Sequence, residues 1–525
     1  MSYSKINATA ATLSKNRTED SIVSLSGMCA TCVDGCIGMC EIGKSAYRST
    51  EAIYPQPFGI ITAASDKTYP VDLSHFTILG SCVGAYGIEA TPESAIFPNV
   101  KSEQTIGQNK DIKVKLPIVT GGMGSTNVAG NNWDGLAIGA AISGIILTVG
   151  ENVCAMDQQS EIKDGRVIRS PEMERRVSLY KDWQDGYGDV VVQSNVEDTK
   201  LKVQEYTIEK LGVETVELKW GQGAKDIGGE VKIKDLKKAQ MLKDRGYVVL
   251  PDPHDPAVIK AFEQHAFHEF ERHSRLGMVE QEGFNARVEE LRKAGAKHVF
   301  LKTGAYRPQD LARAVKYASD SKIDLLTVDA AGGGTGMSPW RMMCEWGVPG
   351  IELWSLLFNY LDKLAKKGKY VPDVAIAGGI ILEDQIFKAL ALGAPYFKMV
   401  CMARSLLASA MVGKTIGKNI NDSNLPVYVA RFGQTREEIF MLAPELQNRF
   451  GDRYNELPTG AIGVYSYTKR LEQGLRQMMC GARKFNLDSI DRNDIAAITK
   501  EASDISGISY IMDTDRDEAE KILAS

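Results

Sequence analysis

From about residue 115 the chain alternates short apolar runs with stretches whose apolar positions recur every three to four residues. The runs are Leu116–Thr120, Gly144–Val149, Asp189–Gln193, Thr215–Trp220, His298–Lys302, Asp324–Asp329, Asp373–Ala377 and Tyr396–Cys401. Most are continuously apolar rather than alternating, the pattern of parallel strands covered on both faces. Between them lie amphipathic stretches. Pro308 to Ser319 places Leu311, Ala314, Val315 and Ala318 on one helical face, and Leu382 to Leu392 repeats the pattern with Ile386, Leu390 and Ala391. Eight such repeats predict an α/β chain built on a (β/α)8 barrel over residues 111–405. Residues 1–110 are poorly periodic and are expected to form an N-terminal segment, carrying the clustered cysteines described below, packed on the barrel. Residues 406–525 are predicted helical, with Leu471, Leu475 and Met478 on a core stripe. The charged run from Glu269 to Lys297 predicts a long solvated helical insertion between the fourth and fifth strands, a lid or an interaction surface.

Polar and glycine-rich turns follow these strands, on the face that carries active sites in such barrels. Thr120-Gly-Gly-Met-Gly-Ser125 follows the first and Gln193-Ser194 the third. Lys302-Thr-Gly follows the fifth, Asp329-Ala-Ala-Gly-Gly-Gly-Thr335 the sixth, Ala377-Gly-Gly-Ile380 the seventh and Cys401-Met-Ala-Arg404 the eighth. Turns after the last two strands, ahead of helix N-termini, predict a phosphate site made of backbone N–H groups. The fourth run carries Lys219 and opens into Gly-Gln-Gly-Ala-Lys, so Lys219, Gln222 and Lys225 converge where a strand ends. Two ammonium groups and an amide so placed grip an anionic, planar ligand. A lysine inside an apolar strand is rarely without a purpose.

Composition narrows the class. Among 525 residues, 44% are hydrophobic and 25% charged, with a net charge of −5, so nucleic acid is not an expected partner. No apolar run reaches membrane-spanning length, and the N-terminus lacks a signal-peptide core, which predicts a cytoplasmic protein. Four of nine cysteines, Cys29, Cys32, Cys36 and Cys40, fall within twelve residues at C-x2-C-x3-C-x3-C spacing. Thiolates so closely set suit an iron–sulfur cluster, most simply [4Fe–4S]; a closed zinc site is the rival and unliganded thiols the remaining alternative. The other five cysteines sit among apolar neighbours and read as core thiols.

The turns resemble the FMN-binding synthase domain of glutamate synthase over roughly Leu116 to Arg404. The carriers are Thr120-Gly-Gly-Met-Gly, the loop from Lys219 to Gly229, and Gly333-Gly-Thr-Gly-Met-Ser-Pro339. The resemblance implies that Lys219 lies beside the isoalloxazine ring and stabilises its reduced form, while Gln222 and Lys225 bind a 2-oxo acid. It implies a flavin site from Gly121, Gly122, Met123, Gln193, Lys302, Asp329, Gly332, Gly333 and Gly334, with the phosphate on Gly378, Gly379, Met402, Ala403 and Arg404. Arg245 stands near the place where the family offers an arginine to a substrate carboxylate; a helix C-terminal cation is its other reading. His254 is either a structural turn residue or a substrate contact.

Three departures mark this chain. Cys401 stands alone where the family's cluster cysteines follow the eighth strand. The chain begins Met-Ser, without a glutaminase nucleophile. The substrate loop reads Asp226-Ile-Gly-Gly-Glu230, and Ala330-Ala331 precede the glycines of the sixth turn. The expected enzyme is a cluster-fed flavoprotein: electrons from ferredoxin or a reductase subunit pass to FMN and on to a small imino or oxo acid, 2-iminoglutarate in the glutamate synthase version. Ammonia comes free or from a separate glutaminase, and a homo-oligomer is expected. The alternatives are an FMN-dependent reductase of another small carboxylate, an FMN isomerase without net redox, and a scaffold subunit with a vestigial flavin site. No GxGxxG fingerprint follows a predicted strand, so direct nicotinamide use is not expected.

Overall fold

A computed structural model describes Lys67 and residues 69–223, 230–333 and 338–525. Eight parallel strands form one sheet: β1 Ile118–Thr120, β2 Leu147–Val149, β3 Val190–Ser194, β4 Thr215–Lys219, β5 His298–Thr303, β6 Leu325–Asp329, β7 Asp373–Ala377 and β8 Phe397–Met402. Neighbours in sequence are neighbours in space, and β8 returns to β1 through Val400, Cys401 and Met402 against Ile118, Val119 and Thr120. A bridge between Val119 and Ile146 closes the last gap, so the sheet is a barrel. Each predicted run supplies one strand.

The barrel interior is filled from below. Ile106, Ile112 and Val114 belong to a hairpin, Gln104–Ile106 with Ile112–Val114, and pack with Val119, Ile146, Val191, Phe300, Leu325 and Met399. The hairpin's turn is tied to strand starts: the Gly107 N–H donates to Asp373 (2.9 Å) and the Gln108 N–H to Asp324 (2.9 Å). The boundary expected at 110/111 therefore falls inside a hairpin that plugs the barrel.

The boundary expected at 405/406 falls inside the helix Arg404–Asn421, the barrel's eighth. The long helix Thr459–Gly481 packs against it and against Trp133–Ser143, and glycines set the approach. A Cβ at Gly135 would lie 2.9 Å from the Gly460 Cα, and one at Gly463 would overlap the Ser409 carbonyl oxygen. Leu471 and Leu475 are buried as the stripe predicts, with Met478 partly so. Gly463→Ala is expected to cost about 1–3 kcal/mol through overpacking. A urea midpoint unchanged from the parent would show that these helices do not need their close contact.

The insertion between β4 and β5 differs from expectation. Glu269 to Lys297 is not one helix. Phe270–His273 is the middle strand of a three-stranded antiparallel sheet, between Glu230–Ile233 and Val248–Leu250, and only Gln281–Lys293 is helical. Phe270 and Arg272 are buried while Glu271 and His273 are half-buried, a period of two that the charge density of the segment obscures. The helix is not fully solvated either, since it buries Phe284, Val288 and Leu291.

No helix among the described residues is long and apolar enough to cross a membrane. Cys29, Cys32, Cys36 and Cys40 lie outside the described residues. Of the other cysteines, Cys154, Cys344 and Cys401 are buried as expected, Cys480 is half-buried, and Cys82 is exposed rather than a core thiol.

Candidate active site

Inward-facing side chains at the carboxyl ends of the strands bring a set of charges together. Lys219 ends β4 and Lys302 sits at the matching position of β5, the two being register partners. Lys219 Nζ donates to Glu151 Oε1 (2.8 Å) and to Gln222 Oε1 (3.0 Å). Lys302 faces Asp329 across 3.3 Å. One residue pair deeper, Gln193 Nε2 donates to Glu217 Oε1 at 2.5 Å.

The ionisation of this set follows from burial and neighbours. Burial alone would raise the Glu151 pKa, but the Lys219 ammonium outweighs it and holds the carboxyl below its ordinary value. Burial would lower the Lys302 pKa, and Asp329 with Cys401 and Glu217 overrides it, keeping the ammonium charged. Burial wins at Glu217, whose carboxyl is raised against the pull of Lys302, and at Cys401, whose thiol is pushed up to about 12. Cys401 is thus a neutral thiol on the barrel floor.

The glycine turns leave space beside these charges. A Cβ on Gly122 would fall 2.5 Å from Gln193 Oε1, a buried oxygen with no hydrogen-bond partner. After β7 the backbone turns through Gly378 and Gly379 at φ +140° and +93°, which side chains rarely adopt. Across the turn after β8, Arg404 starts an 18-residue helix. Met402 is buried, and a Cβ on Gly121 would lie 2.7 Å from the Ala403 Cβ.

A cavity of about 870 Å³ opens over the β1–β4 half of the mouth. Gly122, Met123, Lys219 and Gln222 line it, as do Glu151 and Ser194. Its outer wall is the insertion: Val231, Arg272 and the stretch 275–280. Lys302, Asp329, Gly332, Gly333, Gly378, Gly379 and the Met402–Arg404 turn stand on the other half of the mouth, outside this lining. Lys225 and Gly334 lie outside the described residues.

Arg245 is not brought to the site. It caps the helix Leu236–Asp244, and its guanidinium donates to the carbonyls of Ala155 (2.5 Å), Asp157 (2.7 Å) and Ser160 (3.0 Å). The helix-end reading describes this position. His254 is exposed in a turn with its ring 2.8 Å from Asp244. Sequence reasoning missed Glu151, Glu217 and Arg272, and named Ser194 only as part of the turn after the third strand. A charged residue directly after the apolar run ending at Gly150, and a glutamate within the β4 run, were the available signals for the first two.

Residues 272–411 match the family described as the conserved region in glutamate synthase. This stretch is similar to that conserved region. The matched stretch spans β5 to β8, hence Lys302, Asp329 and the glycine turns after β6 and β7, whereas Lys219 and the cavity's β1–β4 half precede it. No match is found among curated proteins compared by sequence. Solved structures of similar architecture include a mandelate oxidase variant with an FMN adduct, at 13% identity over 80% of this chain and 87% of that one, with a TM-score of 0.43. The lactate oxidase of Pediococcus acidilactici (13%, 81% and 84%, 0.44) and the flavin-binding domain of baker's yeast flavocytochrome b2 (13%, 82% and 78%, 0.45) are two more. The barrel itself rests on its strand pairing, not on these likenesses.

Proposed function

We propose that this chain is an FMN-dependent oxidoreductase of glutamate synthase type that reduces a small 2-imino or 2-oxo carboxylate. The observation that carries this reading is the pair of register-matched lysines, Lys219 and Lys302, each held by a carboxylate beside a glutamate synthase region. The residues suit FMN. The Gly378–Gly379 turn and the N-terminus of the Arg404–Asn421 helix offer N–H groups and a dipole to a phosphate. Gln193 Oε1 is an acceptor in search of a donor, fixed in that role because its amide NH2 is already given to Glu217. Bound there, FMN supplies two-electron redox chemistry.

The chain's own part is electrostatic. Lys219 presents a fixed ammonium to charge developing at the mouth, and Glu151 keeps it oriented. Gln222 takes its place beside that ammonium by accepting a second hydrogen bond from it (3.0 Å). Reduction of a C=N bond takes a hydride at carbon and a proton at nitrogen; the cavity admits a small acid next to Lys219 and Gln222. In this reading Cys29, Cys32, Cys36 and Cys40 would hold a [4Fe–4S] cluster, which would supply one-electron transfer from ferredoxin or a reductase subunit, and ammonia would arrive free or from a separate glutaminase. With 2-oxoglutarate as the acid, the imine is 2-iminoglutarate and the product glutamate. Another small carboxylate is the second reading, favoured by the absence of Arg245 from the cavity.

Anaerobic purification and a visible spectrum test this. Flavin bands over a broad iron–sulfur shoulder, bleached by dithionite and restored by 2-oxoglutarate with ammonia, are expected. Restoration only by other acids would select the second reading, and a spectrum without flavin bands would overturn both.

A further inference from the structure

The corner that follows β2 is held from three sides. Gly150 and Glu151 press against the turn after β1: the Gly150 N–H donates to the Met123 carbonyl (3.0 Å), and a Cβ on Gly124 would overlap the Glu151 carbonyl oxygen. Asn152 then takes the chain through the left-handed region, at φ +65°, into the short helix Val153–Met156. Glycine would serve that φ with least strain, and asparagine is among the few other residues that visit it. At a helix start an asparagine side chain ordinarily accepts from the N–H groups of the first turn. Asn152 makes no such bond.

Its side chain is spent on two other elements instead. Asn152 is 5% exposed, and its Oδ1 accepts from the Tyr247 hydroxyl (2.8 Å) and from Asn195 Nδ2 (3.3 Å). Its backbone N–H donates to Asp198 Oδ2 (2.8 Å). Asn195 and Asp198 stand at the helix Val196–Lys200 after β3, whereas Tyr247 belongs to the insertion between β4 and β5. Tyr247 is itself fixed: it is buried, and the Arg272 guanidinium lies 4.8 Å over its ring and hydrogen-bonds to it. Two residues earlier, Arg245 donates to the carbonyls of Ala155, Asp157 and Ser160. The insertion thus holds the segment after β2 at both ends, by Tyr247 at Asn152 and by Arg245 beyond the helix.

What precedes Asn152 gives the tie its consequence. Glu151 is the carboxylate that accepts from Lys219 at 2.8 Å, and it lines the same cavity. Its backbone is wedged against the β1 turn on one side and followed by the clamped Asn152 on the other, so the direction of its side chain is set by this corner. Small misplacements of an orienting group are costly where charge must be met at a fixed distance.

We propose that Asn152 and Tyr247 are positioning residues: their hydrogen bond lets the insertion fix the corner after β2 and so aims Glu151 at the Lys219 ammonium. The effect on turnover rests on the reading of Lys219 as a charge that acts in the reaction; the tie itself does not. This assigns the insertion a part in the barrel's own site, beyond walling the cavity. It also gives Arg245 a task, as the second anchor of the same segment.

The test uses the full chain as purified. Asn152→Gly keeps the left-handed backbone and its N–H but deletes the acceptor; Tyr247→Phe deletes the donor and keeps the ring under Arg272. The first readout is the rate of Lys219 acetylation by acetic anhydride, followed by peptide mass spectrometry, with exposed Lys521 as internal standard and buried Lys302 as control. Each variant is expected to raise the Lys219 rate about five-fold, the equivalent of one neutral hydrogen bond, and to leave Lys302 unchanged. Because both substitutions break one bond, the double variant should go no further than either single one. The second readout is steady-state kinetics with the acid that restores the flavin bands: kcat is expected to fall about five-fold while KM stays within about two-fold. If Asn152→Gly does not fold, Tyr247→Phe decides alone. Lys219 labelling at the parent rate overturns the proposal, as do additive effects in the double variant. Faster labelling of Lys219 and Lys302 alike, with a lowered melting temperature, marks a merely structural bond and overturns it too. Faster labelling of Lys219 alone with kcat unchanged would keep the tie and sink the reading of Lys219 as a reacting-site charge. Labelling needs no turnover, so a protein without flavin bands would sink the flavoenzyme reading and still decide this one.

Discussion

Replacing Lys219 by methionine is expected to cut kcat/KM by about a hundred- to a thousand-fold, the usual cost of removing one preorganised donor from a site where charge develops. The chain invests in this ammonium. It stands at the end of β4, in a cavity wall, and two neighbours, Glu151 and Gln222, accept from it. Methionine keeps the length of the side chain and removes the charge. The pH profile gives an independent reading. In the parent, Lys219 outweighs burial and keeps Glu151 below its ordinary value. Without Lys219, burial prevails and the Glu151 pKa rises, so a carboxylate that was ionised at mildly acidic pH becomes protonated there. The acid limb of the activity profile should therefore move to higher pH. The stability term changes in the same sense: a depressed folded pKa contributes stability above the unfolded value and loses it as pH falls, and in Lys219→Met that contribution is gone. Lys219→Arg retains charge and should sit between the two. Steady-state kinetics at equal flavin content per chain decides the case, and an unchanged kcat/KM would remove Lys219 from the reaction.

Much of this site was legible before the structure because parallel barrels impose a strict grammar on sequence. Each apolar run had to be a strand, each ended in polar or glycine residues, and the ends had to share one face. Lys219 and Lys302 were visible because a cation within such a run has few bland explanations, and their pairing as register partners then follows from the order of β4 and β5. The insertion was opaque for the opposite reason. Phe270-Glu-Arg-His273 is too short and too charged for its alternation to stand out, and its strand identity comes from partners some forty and twenty residues upstream. Arg272 could not be singled out, since only the fold shows that this arginine, among many, is buried at the centre of a sheet and reaches the cavity. Arg245 failed by the same logic. Its distance from Lys225 along the chain suggested the cavity, but the helix Leu236–Asp244 carries it to the carbonyls of 155–160 instead.

The hairpin beneath the barrel shows how local and global constraints can disagree without harm. Residues 104–114 look like part of an aperiodic segment, yet Ile106, Ile112 and Val114 complete the inner core under Phe300 and Met399. A short hairpin with three apolar residues has almost no periodic signature. Its position is set by the carboxylates at the strand starts, Asp324 and Asp373, which accept from its turn.

Asp329→Ala is expected to be the most destabilising single change at the mouth, by about 3–5 kcal/mol, because it strands a buried ammonium. Lys302 is 6% exposed, and Asp329 is its nearest counter-charge at 3.3 Å. Glu217, itself raised by burial, is a poor substitute. A second substitution separates the charge from the turn: Asp329→Ala combined with Lys302→Met removes both ions and should recover most of the loss, since a buried pair is worth little more than apolar side chains of similar size. The pH dependence has a definite sign. In the parent the Lys302 pKa is raised on folding, so its contribution is complete below the ordinary lysine value and fades only as pH rises through the higher folded value. Between neutrality and about pH 9 it is therefore constant. Once Asp329 is gone, burial makes the folded pKa lower than the unfolded one. The unfolded chain then binds the extra proton, and stability rises as pH is taken toward the ordinary lysine range near 10.4. Urea unfolding at a series of pH values reads this directly. A deficit that shrinks with rising pH locates the loss in the stranded Lys302 ammonium, whereas a deficit flat across the range would locate it in the backbone turn that Asp329 begins.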